Sequence, residues 1–379
     1  MNDVLVLSNH YLTFVKDQFE VVSQRFGNIN VLVNFHSYYS FFPDKKIDLK
    51  NIPLNINILQ NPQFYLHFLG QYKLIGERHF KFAQKLVTQN NLKFDLIHSH
   101  FTWPSGYVGA KLKEKYNVPF VVTAHGYDIY DLPFKDDEWR SKIEYVLNSA
   151  DAIITVSNSN LECIKNMDVK TPVKVLSNGY REDLFHPIDP YESRKLLSIP
   201  SDKKVILSVG NLEEVKGHKY LIEAISHVVK RRKDVICFIV GGGRLKTHLK
   251  KQIKSAGLQD HVKLVGGKPH NCVPIWMNAC DVFVLPSLRE SFGIVQIEAM
   301  GCGKPIVATC NGGSEEIITS EDYGLLCEPA NPKDMADKIL VALDKGWDNT
   351  EIEMYARKFR WEEVLKDVIR IYRGLGLEA

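Results

Sequence analysis

The 379 residues exceed what one ordinary α/β core organises and suit two, and an apolar fraction of 45% with 25% charged residues is that of a folded globular chain. A net charge of +3, from 48 basic and 45 acidic residues, is too slight for a nucleic-acid groove. Seven cysteines without a CxxC pair exclude a disulfide framework and a cysteine zinc site, and they fit a reducing cytoplasm. The opening MNDVLVLSNHY runs straight into a strand-like stretch with no signal-peptide pattern. No segment approaches the roughly 18 uninterrupted apolar residues that cross a bilayer. The expected location is therefore the cytoplasm, with any membrane contact peripheral and at the inner face.

In chain order, short β-branched runs recur at VLVLS near Val4, INVLVNF near Ile29, FDLIHSH near Phe94, FVVTAHG near Phe120, AIITVS near Ala152 and VKVLSNG near Val173. Stretches of helical period such as KFAQKLVTQN and KIEYVLNSA separate them, an alternation that predicts a parallel sheet covered by helices. The plan repeats with KVILSVG, VICFIVGGG, HVKLVGG, VFVLPS, PIVATC and GLLCEP. The fold class is α/β, with two doubly wound, Rossmann-like domains and ligands beyond the carboxyl ends of the strands, in the cleft between them. Three prolines and mixed charges between His186 and Lys204 predict the linker, which gives a first domain of 1–186 and a second of 187–360. The last segment, 361–379, reads as a helix from Trp361 that packs back on the first domain.

The densest chemistry lies in VFVLPSLRESFGIVQIEAMGCGKPIVATCNGGSEEI, from Val282. A strand is followed by a loop with Glu290, Ser291, Phe292 and Gly293 and then by a helix from Ile294 that holds Glu298. Glycine at such a junction admits a ligand close to backbone, and the helix start offers N–H groups and positive dipole to a diphosphate. Glu290 suits sugar hydroxyls and Glu298 a ribose; the alternative is a pair of solvent-facing helix carboxylates. In SVGNLEEVKGHKYLIEAI, from Ser208, Lys216 near a helix start suits a diphosphate, and the alternative is a surface lysine. Gly241 to Gly243 lack dinucleotide-fingerprint spacing and read as a tight turn. His98 and His100, two apart, share one strand face and read as hydrogen-bonding histidines rather than metal ligands. Asp136 and Asp137 read as a solvated pair, not a metal-holding motif. The stretch YLHFLGQYKLIGERHFKFAQK, from Tyr65, mixes aromatics and cations as an interfacial helix does, or packs its aromatics inward as an ordinary helix does.

ESFGIVQIE, with seven residues between its glutamates, followed by AMGCGKPIVATCNGGSEEI and GLLCEP, resembles the retaining glycosyltransferases of family 4, glycosyl transferases group 1, which have the two-domain GT-B fold. HSHFTWPSG, HGYDI and SNGYREDLFHP extend the resemblance over roughly Asp95 to Pro329. It implies Glu290 at the donor sugar, Glu298 at the ribose, backbone N–H groups of Ser291, Phe292, Gly293 and Ile294 at sugar and phosphate, and Lys216 at the diphosphate. His125 falls at the reaction centre against the donor sugar. The family's arginine after the first glycine of the Ser208 segment is replaced by Asn211, which leaves Lys216 or Arg244 to meet the leaving-group charge. The first loop, LSNHYLTFVKDQF, lacks the family's glycines.

The resulting expectation is a hexosyl-class glycosyltransferase of polysaccharide biosynthesis. It uses a UDP- or GDP-sugar, requires no cofactor or metal, and transfers with retention to a glycan or lipid-linked glycan. A sugar-nucleotide epimerase on the same fold and a non-catalytic nucleotide-sugar binding subunit are the alternatives.

Overall fold

A computed structural model describes residues 1–9, 11, 14–36, 52–63 and 71–378. The predicted alternation of strand and helix divides into two units, Met1–Asn178 with Trp361–Ala379, and Gly179–Arg360. In the first unit the strands are β1 (Val4–Ser8), β2 (Ile29–His36), β3 (Ile56–Gln63), β4 (Leu96–His100), β5 (Phe120–Ala124), β6 (Ala152–Thr155) and β7 (Val173–Val175). They form one sheet in the order β3-β2-β1-β4-β5-β6-β7, and every pairing is parallel. The order reverses direction between β1 and β4, where the strand ends open a crevice.

Both faces of this sheet are buried, so β1, β5 and β6 are largely apolar runs rather than alternating ones, while β4, LIHSH, buries two histidines and a serine. In β1, Leu5 and Leu7 join the core on one side, while Val4 and Val6 join the core on the other. The second core is closed by the helix Trp361–Gly374, whose Trp361, Val364, Leu365, Val368, Ile369 and Tyr372 are buried at helical spacing. The last helix thus belongs to the first unit, and Tyr372 Oη reaches His98 Nδ1 at 2.5 Å.

The second unit repeats the plan with β8 (Lys204–Val209), β9 (Val235–Val240), β10 (Val262–Gly266), β11 (Val282–Leu285), β12 (Ile306–Thr309) and β13 (Gly324–Cys327). Its sheet order is β10-β9-β8-β11-β12-β13, all parallel, and the order reverses between β8 and β11.

The units divide at Asn178 and Gly179, earlier than the boundary at 186 and 187 expected from prolines and charge. The intervening residues are held by the second unit. Tyr180 N donates to Phe359 O at 3.0 Å and Ile188 N donates to Asn278 Oδ1 at 2.8 Å. Tyr180 also lies so close to Gly301 that a Cβ there would sit 2.5 Å from its ring. Strand β3 is absent from the expectations because INILQNPQ carries asparagines and a proline. An edge position tolerates both, since the outer side of β3 has no ladder to complete.

Asp136 is not a free loop carboxylate. It caps the helix Asp137–Ser149 by accepting from Trp139 N at 2.9 Å, and it takes Lys73 Nζ at 2.8 Å. Of the stretch from Tyr65, residues 65–70 lie outside the described residues. The rest enters the helix Ile75–Gln89, which buries Ile75, Gly76, His79, Ala83 and Val87. Of the first loop, His10, Leu12 and Thr13 likewise lie outside the described residues. Among the described residues no helix is long and apolar enough to cross a membrane.

The closing role of the last helix predicts that Tyr372→Ala lowers unfolding free energy by about 3–5 kcal/mol, as loss of a buried aromatic does. Tyr372→Phe, which strands His98 Nδ1, should cost about 1–3 kcal/mol. Urea unfolding measures both, and a phenylalanine variant as stable as the parent would mean that the bond to His98 contributes nothing.

Candidate active site

In the second unit the chemistry gathers at the β8/β11 reversal. After β8 the chain makes a tight turn, Glu214–Lys216, and enters the helix His218–Arg231 through Gly217 at φ +65°. A Cβ on Gly217 would lie 1.9 Å from the carbonyl oxygen of Pro286, in the loop after β11, so only glycine permits this approach. Leu288 N donates to Val215 O at 2.7 Å and joins the same two loops a second time.

Across that seam Lys216 Nζ donates to Glu290 Oε1 at 2.6 Å, and Ser287 Oγ donates to the same oxygen at 2.7 Å. Glu290 Oε2 has no protein donor among the described residues. The Glu290 side chain is only 10% exposed, and that of Glu298 6%. The solvent-facing alternative for both therefore fails. Nor do the two share one helix: Glu290 lies in the loop, and Glu298 lies in the helix Ile294–Gly301, where Oε1 meets His270 Nε2 at 2.7 Å.

Both helices that begin here, His218–Arg231 and Ile294–Gly301, start from a glycine N-cap with no side-chain cap. Elsewhere in the unit, Asn331 and Asp348 cap the helices that follow them, while the helices Lys246–Ser255 and Val273–Ala279 also begin without a side-chain cap. Uncapped starts keep N–H groups and dipole available to an anion. Phe292 is buried against Phe359, with ring centroids 5.9 Å apart, so its side chain is taken up in packing. Arg244 is mostly exposed and its Nε pairs with Glu213 Oε2 at 2.5 Å, while Asn211 is exposed beside it.

Sequence reasoning passed over three residues that support this site. Ser287 fixes Glu290 directly. Asn311 accepts Glu290 N on its backbone oxygen at 3.0 Å, and its side-chain oxygen takes Gly313 N and Ser314 N. His270 holds Glu298. The signal for the first two was their place in strand-ending PS and NGG turns, which mark chain reversals at a strand's carboxyl end.

In the first unit the corresponding edge carries histidines. His98 lies between Tyr372 Oη and Thr123 Oγ1, the latter 2.7 Å from Nε2. His100 Nδ1 lies 2.9 Å from His125 Nε2. Burial with no carboxylate against the rings holds all three neutral: His98 and His125 are driven down to about 3 and His100 well below its ordinary value, the last two also by neighbouring histidines. Buried Asp128, another residue not singled out, accepts Thr102 N and Gly126 N, each at 2.8 Å, and His125 N at 3.2 Å. It thereby locks the β4 and β5 loops together. Among the described residues no cluster of three or more His, Cys, Asp or Glu is arranged to hold a metal.

Two doubly wound units, each with its polar residues at a strand-order reversal, define the GT-B class. The fold is that of a sucrose-phosphate synthase from Thermosynechococcus elongatus, with TM-score 0.82 and 20% identity over 98% of this chain and 99% of that one. It is also that of the Anabaena protein HepE, solved in complex with UDP, with TM-score 0.77 and 20% identity over 99% of this chain and 100% of the other. Residues 191–359 match the glycosyl transferases group 1 family and residues 40–184 match Glycosyltransferase Family 4. An uncharacterised glycosyltransferase of Methanocaldococcus jannaschii is 30% identical over 84% of this chain and 85% of its own length. A D-inositol 3-phosphate glycosyltransferase of Corynebacterium jeikeium is 30% identical over 76% and 74%. The chain belongs to the group 1 glycosyltransferases of family 4 and is a glycosyltransferase.

The neutral histidines predict acid sensitivity. His98 protonates near pH 6.5 when unfolded and only near 3 when folded, so between these values the unfolded chain binds the extra proton. Stability is then full above pH 6.5 and falls by about 1.4 kcal/mol per pH unit below it on account of this residue alone. Unfolding free energies at pH 7 and pH 5 should differ less in His98→Phe than in the parent, and an unchanged pH slope would contradict the assignment.

Proposed function

We propose that this glycosyltransferase moves a sugar from a UDP- or GDP-sugar to a hydroxyl acceptor with retention of anomeric configuration and without a metal ion. The observation that carries the reading is the Lys216–Glu290 pair, set on two loops joined at Gly217 and flanked by two uncapped helix starts. A diphosphate seated there gains the Lys216 ammonium and backbone N–H groups from the helix after Phe292. Both stabilise the charge that builds on the leaving group as the glycosidic bond breaks. Glu290 Oε2 accepts from the sugar's hydroxyls and Glu298 from the ribose, and these contacts orient the reacting carbon. His125 is assigned to the transferred sugar by the motif it shares with the family and by its place at the carboxyl edge of the first sheet. Asn211 adds no charge, and Arg244, shared with Glu213, assists at the diphosphate.

The neighbour solved with UDP supports a sugar-nucleotide donor. For the acceptor the proposal is a glycan or lipid-linked glycan of the cell surface, built at the inner face of the membrane. The helix Ile75–Gln89 supports a peripheral contact there by exposing Arg78, Lys81 and Lys85 beside half-buried Phe80 and Phe82.

A thermal-shift panel of UDP, GDP, ADP and their common sugar conjugates tests the donor. A ligand at 100 times its dissociation constant stabilises the fold by about 2.7 kcal/mol. One base should shift the melting temperature selectively, equally with magnesium and with chelator; a shift that needs magnesium would overturn the metal-free reading. Glu290→Gln should weaken the sugar conjugate and leave the free diphosphate nearly unchanged, whereas Glu298→Ala should weaken both. The reverse pattern would overturn the two assignments, and donor epimerised without acceptor would move the protein to the epimerase reading.

A further inference from the structure

Two buried ring nitrogens in the first unit, His100 Nε2 and His125 Nδ1, have no hydrogen-bond partner among the described residues. They belong to two rings already tied to each other by the 2.9 Å contact of His100 Nδ1 with His125 Nε2. We propose that His100 is a positioning residue that couples the tautomer of His125 to its own, so that the two rings meet a ligand hydroxyl as one pair. The proposal rests on the reading that His125 serves the transferred sugar.

The number of protons on the two rings fixes the relation. A neutral imidazole carries one N–H, and the contact between the rings uses one proton. If His100 Nδ1–H donates, His125 must bear its own proton on Nδ1, where it is a donor, and His100 Nε2 is a bare acceptor. If His125 Nε2–H donates, both free nitrogens exchange roles. The two free nitrogens are therefore always opposite in character, and a ligand that fixes one fixes the other. A group that only accepts, brought to His125 Nδ1, selects the first arrangement; a hydroxyl suits either.

The surroundings keep the pair isolated. His98 stacks on His100 with centroids 4.5 Å apart, but both its nitrogens are taken by Tyr372 and Thr123, so it supplies no proton to the pair. Phe19 meets His100 edge-on at 5.6 Å, and Phe14 and Phe101 lie 4.7 and 4.8 Å from His125. Asp128 faces His125 through the backbone N–H and not the ring.

Nitrogen-15 NMR of the full-length chain with labelled histidine reads the protonation of each ring nitrogen directly, without any substrate. In the parent, His125 Nδ1 and His100 Nε2 should be opposite, one protonated and one bare; both protonated or both bare would overturn the proposal. His100→Phe keeps a ring but no hydrogen bond, and His100→Asn returns an amide near the position of Nδ1. The tautomer of His125 should change in His100→Phe and be retained in His100→Asn. Hydrolytic turnover of UDP-glucose, or of GDP-mannose if the guanine nucleotide is the one bound, should fall about tenfold in His100→Phe through kcat, the rate equivalent of one hydrogen bond, with KM little changed. His100→Asn should recover most of it. An unchanged tautomer and turnover in His100→Phe, or equal impairment of the two variants, would overturn the proposal. His125→Phe separates the premises: if it turns over donor as the parent does, the assignment of His125 to the sugar fails, while the NMR result still decides the coupling.

Discussion

The candidate donor site depends on one missing side chain. Gly217 lets the loop after β8 come against the carbonyl of Pro286 in the loop after β11, and its left-handed backbone turns the chain into the following helix. Because those two loops touch, an ammonium from one strand end and a carboxylate from its neighbour meet over a short span. Parallel sheets with a strand-order reversal provide such a junction as a matter of topology. The glycine decides how tightly it closes.

Around that seam, support is layered rather than concentrated. Ser287 and Lys216 share one oxygen of Glu290, Asn311 holds its backbone, and Gly313 packs against the backbone of Phe292. Each of these is a polar side chain or a glycine in a turn. The site is thus held in shape by hydrogen bonds whose geometry is fixed by the sheet beneath it, an arrangement suited to preorganised charge.

Much of this was legible in the amino-acid order. Twelve of the thirteen strands stand at runs rich in β-branched and apolar residues, since strands covered by helices favour such side chains. Edge strand β3 escaped because its asparagines and proline break the run, whereas the other edge strands keep theirs. Lys216, Glu290 and Glu298 could be picked out because they stand near glycines and helix starts after strand ends and in segments that resemble the family's. Ser287 and Asn311 carried only the weak signal of a turn at a strand end, and His270 and Asp128 carried none, because serine, asparagine, histidine and aspartate serve turns and caps everywhere; the partners that distinguish them are revealed by folding. The same reason explains the boundary: Tyr180 reads as part of the first domain until Phe359 is found bonded to it.

The last helix has a consequence for how the protein is made. Gly179–Arg360 is a continuous segment with its own sheet and core, whereas the first unit takes its closing helix from beyond that segment. On a ribosome, which releases the chain from its amino end, the second unit can complete its core while the first still shows the apolar surface around Val4, Val6 and Val31 that Trp361 and Tyr372 will cover. The unit that begins first is therefore the later to close its core.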